Sequence, residues 1–236
     1  MKKFCALLVS LSLALGATPG KAGDRPIVVE LFTSEGCSSC PPADALLAEL
    51  AKRPDVLALS LHVDYWDRLG WKDPFSSPAA TDRQNRYAEL LGLATVYTPQ
   101  IVVDGRWQAV GSEREAVEHA LERAQRSRGQ VPVALIADHD RARIDMGPGG
   151  EDARPASVLL FAFDRRQVSA VKRGENGGRT LAHVDVVRGI QEVGRFDGGL
   201  RQIETSIRGN PDRIAALVQA ADGRVLGVAI ADVKPN

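Results

Sequence analysis

Residues 32–44 read FTSEGCSSCPPAD, a segment in which a Cys-x-x-Cys motif follows an apolar run and opens a helix. The run at 27–32 is rich in β-branched and large apolar residues, which is typical of a strand buried on both faces. Leu and Ala recur at helical spacing over 45–51, so we predict a helix over 39–53. The sequence therefore predicts a strand that leads directly into a helix, with two cysteines at the junction.

Cys37 is the predicted nucleophile of this motif. It comes just before the helix, where unpaired backbone N–H groups and the helix dipole favour a thiolate. Such a position can lower a thiol pKa from about 8.5 to roughly 3.5–7.5. Cys40, one turn further on, is expected to be more buried and to resolve a mixed disulfide formed on Cys37. We expect both sulfurs at an edge of the fold that solvent reaches.

The amino terminus, residues 1–22, is typical of a secretory signal. A positive start at 1–3 precedes an apolar run at 4–15, and small residues follow up to Ala22, where cleavage is expected. The apolar run is shorter than the ~20 residues of a membrane span, so an uncleaved anchor is the less favoured interpretation. We therefore expect a periplasmic or secreted protein with no membrane attachment after cleavage.

Removal of the signal leaves two cysteines. The chain has 3 Cys in total, and Cys5 lies within the signal. The mature protein then holds only Cys37 and Cys40, so its fold cannot depend on a network of disulfides. The pair serves either chemistry or a local crosslink.

The composition is that of a soluble globular protein. The 236 residues are 44% hydrophobic and 25% charged, enough for one large or two ordinary domains. Lys and Arg number 30 against 30 Asp and Glu, so no basic field for nucleic acid exists. The charge balance identifies no partner.

The segment 24–128 alternates strands and helices in the order β-α-β-α-β-β-α. The predicted elements are strand 27–32, helix 39–53, strand 56–63, helix 81–91, a strand pair within 96–110 around an Asp-Gly turn, and helix 113–126. The first two strands and their helix form a βαβ unit, which predicts parallel strands. Because parallel strands end at one edge of the sheet, Asp64 should lie on the same edge as Cys37.

An aromatic-rich segment without periodicity follows Asp64. Tyr65, Trp66, Trp71 and Phe75 fall within it, and its position predicts a loop over the cysteine edge. These rings and Asp64 are candidates for a substrate-binding wall. The alternative is that the rings only cover the core beneath a long connection.

The element order, the Cys-x-x-Cys and the pair Thr98-Pro99 together resemble the thioredoxin fold over 26–128. The resemblance implies that Pro99 is cis and faces the disulfide, and that Thr98 contacts substrate; an isolated X-Pro bond is cis in only about 5–6% of cases. It also implies a buried acid as proton acceptor for the resolving thiol. Glu30 is the candidate, and the alternative is a carboxylate at the edge or paired with an arginine.

The chain as a whole resembles a narrower group. The runs at 32–44, 62–76 and 96–105 are similar to those of an uncharacterised family of secreted bacterial proteins with a thioredoxin-like fold. This resemblance implies a fold and an export route. It implies no activity.

The second half, 130–236, is predicted to be an all-β, sandwich-like domain. Candidate strands are 131–137, 141–146, 156–164, 181–192, 200–207, 214–220 and 225–230, with a short helix after 210 as an alternative to the sixth. A glycine-rich charged loop, 172–180, leads to His183. We expect a flexible hairpin loop there, with a partner-docking surface as the alternative.

Three functions fit these features. The first is an exported thiol–disulfide oxidoreductase that acts on protein or small-molecule thiols and disulfides without a cofactor. The second is a soft-metal module for Cu or Zn, although the chain has only 4 His and no second cysteine pair. The third is a non-enzymatic interaction protein in which Cys37–Cys40 is a static crosslink that resists reduction.

Overall fold

The computed structural model describes residues 25–127, 131–150, 153 and 155–234. The predicted signal and Cys5 lie outside this part of the chain. The first half contains β1 (Ile27–Thr33), α1 (Pro41–Leu50), β2 (Val56–His62), a 3-10 turn (Asp67–Leu69), α2 (Pro78–Leu90), β3 (Gln100–Val103), β4 (Trp107–Val110) and α3 (Arg114–Arg126). The second half contains β5 (Val133–Asp138), β6 (Arg141–Met146), β7 (Ala156–Ala170), β8 (Thr180–Phe196), β9 (Arg201–Ser206), β10 (Arg213–Ala220) and β11 (Val225–Asp232).

The fold is mixed α/β and is built on one large sheet. Eight strands form it in the order β11-β10-β7-β8-β2-β1-β3-β4. β1 and β2 are parallel, as predicted, with Thr33 opposite His62 at their carboxyl ends. β2 also pairs with β8, in parallel, through Ser60 and Val186. The sheet therefore runs without a break across the boundary predicted at 128–130.

The two faces of the sheet are covered by different helices. Alternate residues of β1 such as Val29 and Leu31 pack beneath α1 and α3. The residues between them, including Val28 and Phe32, pack with α2 and its buried Tyr87. This period of two is what a strand buried on both faces requires.

The second half contributes strands to this sheet and a second layer beside it. In β7, Phe161 and Phe163 join the core on the α2 side, while Val158 and Leu160 pack on the other face. That other face is covered by a three-stranded sheet in the order β5-β6-β9. The segment after 210 enters strand β10, so the alternative of a helix there is wrong.

The strands β7 and β8 form a long hairpin that reaches back towards β1. They are 15 and 17 residues long and extend beyond the predicted 156–164 and 181–192. This extra length carries the hairpin's connection, residues 171–179, to the Cys-x-x-Cys motif. No helix in the described part of the chain is long and apolar enough to cross a membrane.

Candidate functional site

Cys37 and Cys40 are joined by a disulfide at the junction of β1 and α1, with their Cα atoms 5.4 Å apart. Cys40 is the residue that caps the amino end of α1, and its carbonyl accepts hydrogen bonds from the backbone N–H groups of Ala43 and Asp44. Pro41 and Pro42 occupy the first helical positions, where no intrahelical donor is lost. The two cysteines thus lie at the amino terminus of a helix, as the sequence predicts.

The disulfide is sealed from solvent. Cys37 and Cys40 are each 0% exposed, so the expectation of sulfurs at an open edge is wrong. The side chain of Asn176, from the connection between β7 and β8, donates hydrogen bonds to the carbonyls of Glu35 and Cys37, both at 2.9 Å. The sequence could not indicate this cover because it comes from a segment about 140 residues further along the chain.

The Thr98–Pro99 peptide bond is cis. The carbonyl of Pro99 accepts a hydrogen bond from the Gly111 backbone N–H at 2.9 Å. A Cβ placed on Gly111 would lie 3.2 Å from the Pro99 side chain and 3.0 Å from that of Ala43, so Pro99 sits beside the first turn of α1. Pro99 is therefore cis, as the resemblance implies, and lies close to the first turn of α1.

The aromatic segment divides into two parts. Trp66 donates its indole N–H to the Thr98 hydroxyl at 2.9 Å, and Trp71 donates to the Glu35 carboxylate at 2.7 Å. These two tryptophans contact residues 34–40, here called the cysteine loop. In contrast, Asp64 accepts a hydrogen bond from Thr81 and Tyr65 donates one to Gln84, so both of these candidate substrate residues are tied to α2.

Glu30 is paired with an arginine, which is the alternative that the sequence left open. It is fully buried on the α2 side of β1, where Arg83 pairs with both of its carboxylate oxygens and the Tyr87 hydroxyl donates to it at 2.5 Å. Burial is the main cause that raises the pKa of Tyr87, and the charge of Glu30 adds to it. Because the carboxylate is held by these partners, the proton-acceptor role expected for Glu30 gives way to the arginine-paired alternative.

A buried acid–base group lies at the junction of β1 and α1, formed by residues that flank the two cysteines and by a histidine of β8. His183 on β8 places Nε2 3.3 Å from Glu35 and Nδ1 3.8 Å from Asp44. Burial lowers the pKa of His183, but the hydrogen bonds and charges of the two carboxylates outweigh it and raise this pKa to about 9. Thr33 at the end of β1 donates to Asp44 at 3.0 Å and fixes its carboxylate.

A second histidine adjoins the first. The His62 Nδ1 atom lies 2.7 Å from Asp73, whose carboxylate also accepts the Glu35 backbone N–H at 2.8 Å. Burial tends to raise the pKa of Asp73, and the charge and hydrogen bond of His62 outweigh it, so the pKa lies below its usual range. The imidazole rings of His62 and His183 meet edge to face at 4.6 Å.

This cluster does not present a metal site. Within residues 25–127, 131–150, 153 and 155–234, no group of three or more His, Cys, Asp or Glu side chains is arranged to hold an ion. Among the described residues, Nε2 of His62 is buried without a hydrogen bond, whereas Nδ1 of His183 faces the Asp44 carboxylate at 3.8 Å. The soft-metal hypothesis gains no support from this geometry.

Sequence reasoning found part of the site. It identified the cysteines, Thr98 and Pro99 from a local motif and a resemblance. It missed Glu35 and Asp44, although both flank the motif at two residues before Cys37 and four after Cys40. Nothing in the sequence indicates that Asn176 contacts the cysteines; it is one residue of the glycine-rich loop 172–180.

Comparisons with known proteins indicate kinship without an activity. The family model described as "Protein of unknown function (DUF1223)" matches residues 28–221. A crystal structure of an Agrobacterium tumefaciens protein is 33% identical, with 89% of this chain and 95% of that chain covered and a TM-score of 0.75. A structure described as HBP35 of Porphyromonas gingivalis covers 91% of this chain and 77% of that chain at 15% identity and a TM-score of 0.63, a likeness of fold alone. No curated protein matches the sequence.

Proposed function

This chain belongs to the DUF1223 family, and we propose that it is an exported thiol–disulfide oxidoreductase that acts through Cys37 and Cys40. In this proposal the elements β1 to α3 form a thioredoxin-like unit. The second half contributes a sandwich-like layer and the hairpin that covers the cysteines. Export follows from the signal predicted at residues 1–22.

One observation carries the proposal: the disulfide lies at the amino terminus of α1, and the cis-Pro99 that precedes the distant strand β3 packs near the first turn of the same helix. When a substrate thiol reduces a disulfide at a helix amino terminus, the thiolate that forms is stabilised, since the helix dipole and free N–H groups favour negative charge there. A purely local crosslink between residues 37 and 40 closes a very small loop and contributes little to stability through chain entropy. Chemistry is therefore the better use of this bond.

The reaction proceeds by two exchange steps. A thiolate of the substrate attacks Sγ of Cys37, the Cys37–Cys40 bond breaks, and Cys40 leaves as a thiolate that takes up a proton. A second substrate thiolate then attacks the mixed disulfide and releases Cys37. The substrate loses two electrons and becomes a disulfide, and the protein gains them as two thiols; the reverse sequence reduces a substrate disulfide.

The buried acid–base group supports this chemistry. Asp44 lies one helical turn after Cys40, and residues four apart share a helix face. Asp44 in turn faces His183 at 3.8 Å. Titratable groups with perturbed pKa values, buried beside a reactive bond, are typical of functional sites. We expect this pair to exchange the proton that Cys40 gains and loses.

Trapping of a mixed disulfide tests the proposal. Cys40→Ser leaves Cys37 with no resolving partner, so a covalent adduct should accumulate with oxidised glutathione and with a disulfide-bonded protein substrate. Cys37→Ser is the matched control and should form far less adduct. Mass spectrometry of the intact protein measures both. Absence of any adduct on Cys40→Ser would reject thiol–disulfide exchange.

A non-enzymatic role is the second candidate, and the complete burial of both sulfurs favours it. In that case the disulfide is a permanent crosslink and the protein acts by binding a partner. The two candidates differ in the reduction potential of the bond. A structural disulfide has a potential below about −300 mV, whereas those of catalytic pairs run from about −120 to −270 mV.

A further inference from the structure

The connection between β7 and β8, residues 171–179, covers the disulfide and is here called the hairpin tip. It approaches the cysteine loop at three points: Asn176 against Glu35 and Cys37, Glu175 against Ser38, and Gly174 against Trp71. The tip belongs to the second half of the chain. A substrate thiolate that approaches Cys37 therefore meets this segment first.

The tip has a fixed internal shape. The backbone N–H of Val171 donates to the Arg179 carbonyl at 2.9 Å, and Gly178 donates to the Val171 carbonyl at 2.8 Å. Gly174 and Gly178 have φ values of 78° and 85°, which a residue with a side chain adopts only at a cost. These features make the tip a unit with its own internal hydrogen bonds, separate from those it makes with residues 35–38.

Asn176 is the deepest contact of the tip. Its side chain is 1% exposed and donates to two carbonyls of the cysteine loop, while its own oxygen accepts a hydrogen bond from Arg179 at 2.8 Å. The carbonyl of Cys37 accepts one of these bonds, so Asn176 lies directly against the reactive residue. The Asn176 amide nitrogen thus holds the tip against residues 35–37, while its oxygen stabilises the tip itself.

Glu175 adds a weaker contact at the surface. Its exposed carboxylate accepts the Ser38 backbone N–H at 3.0 Å, next to Cys37. The negative charge of the Glu175 carboxylate therefore lies close to the amino terminus of α1, where negative charge is favoured. The tip therefore occupies the same anion-favouring position that a thiolate would use.

We propose that the hairpin tip is a lid over the disulfide, with Asn176 as its latch, and that Cys37 reacts only while the tip is open. The inference rests on the proposed function. Opening breaks the two Asn176 bonds and the Glu175 bond and no covalent bond, so the open form is a minor but accessible state. The observed reaction rate is then the rate of the open form multiplied by the fraction open.

The rate of reduction by dithiothreitol tests the lid. In this reaction the reagent becomes a cyclic disulfide while Cys37 and Cys40 become thiols. Asn176→Ala removes the latch and should raise the rate about tenfold, as expected for the loss of roughly 1–2 kcal/mol from the closed form. Arg173→Ala, at an exposed position of the same tip whose side chain makes no hydrogen bond or ion pair with the described residues, should leave the rate within about twofold of wild type.

Glu175→Ala keeps the test decisive if Asn176→Ala fails to fold. This side chain is exposed, so the fold is not at risk, and loss of its bond should raise the rate about threefold. Wild-type rates for both folded variants, or for Glu175→Ala alone if the other does not fold, would overturn the lid. That outcome is distinct from failure of the proposed function, which the Cys40→Ser adduct reports on its own.

Discussion

His183 is held in its protonated form by two buried carboxylates. Glu35 faces it from the β1–α1 junction, Asp44 faces it from α1, and the ring of His62 faces it from the end of β2. On its own strand, burial raises the pKa of Asp185 to about 6, which lies below the range in which His183 titrates. The pKa of His183, about 9, is therefore set by contacts between the two halves of the chain.

This raised pKa predicts a loss of stability at alkaline pH. The histidine pKa is about 6.5 when unfolded, so its stabilising contribution is complete below about pH 6.5 and is lost as the pH rises towards 9. The loss should be on the order of 3 kcal/mol in the free energy of unfolding. Denaturant unfolding of the oxidised protein at pH 6 and pH 9 measures it. His183→Gln cannot titrate and should abolish the difference; parallel profiles for both proteins would contradict the assignment.

The Glu30–Arg83 pair predicts an effect on stability without one on redox chemistry. Glu30→Gln leaves a buried guanidinium without its anion, which should cost about 3–5 kcal/mol in the free energy of unfolding. The rate of reduction by dithiothreitol should stay within twofold, because Glu30 faces α2 and not the cysteines. A large loss of reactivity with unchanged stability would restore the role as proton acceptor.

At the scale of elements, the turn after β3 and the turn after β10 each contain a glycine, and the two glycines are in contact. Gly105 after β3 and Gly223 after β10 both have positive φ, and a Cβ on Gly105 would lie only 1.8 Å from the Gly223 carbonyl oxygen. Gly92 has nearly the same φ, 66° against 68°, but nothing lies within 4 Å of its Cβ position. Substitution at Gly92 therefore measures the cost of the backbone conformation alone, and substitution at Gly105 adds the cost of a steric clash.

These glycines give a matched pair of substitutions. Gly92→Ala should lower the free energy of unfolding by about 1–2 kcal/mol, the cost of a left-handed alanine. Gly105→Ala should lower it by a further 1–3 kcal/mol, roughly, because the turns are forced apart. Thermal and denaturant unfolding compare them. Equal losses would show that the turns do not press on each other.

The elements were largely predictable because their signals are local. The parallel β1–β2 pair follows from a βαβ pattern, and the β3–β4 hairpin follows from its Asp-Gly turn. The far end of the β7–β8 hairpin was not predictable, because its residues 165–170 alternate between half-buried and exposed with no apolar face. That extension of β7 brings Asn176 to residues 35–37, whereas His183 lies within the predicted strand 181–192.

At the scale of the whole molecule, the halves share one sheet and one core. Tyr87 of α2 receives a hydrogen bond from Gln219 of β10, and Phe161 of β7 packs in the same cluster. Sequence patterns could not reveal this, because strand order depends on contacts between residues far apart along the chain. Strands from both sides of the boundary predicted at 128–130 belong to this common sheet.

The shared sheet predicts that the first half does not fold alone. A chain that ends at Ser127 would leave β2, buried along its whole length, as an unpaired edge, and such edges aggregate. We expect that chain to lack a cooperative melting transition, whereas the intact protein should melt in one step. Calorimetry distinguishes the two. A cooperative transition in the shortened chain would show an independent domain.

The equilibrium reduction potential of Cys37–Cys40 tests the central claim most directly. The oxidised protein is brought to equilibrium with a series of glutathione and dithiothreitol buffers, and the reduced fraction is counted by alkylation and mass spectrometry. Thiol–disulfide exchange predicts a potential between about −120 and −270 mV. A value below about −300 mV would identify a permanent crosslink and contradict the account.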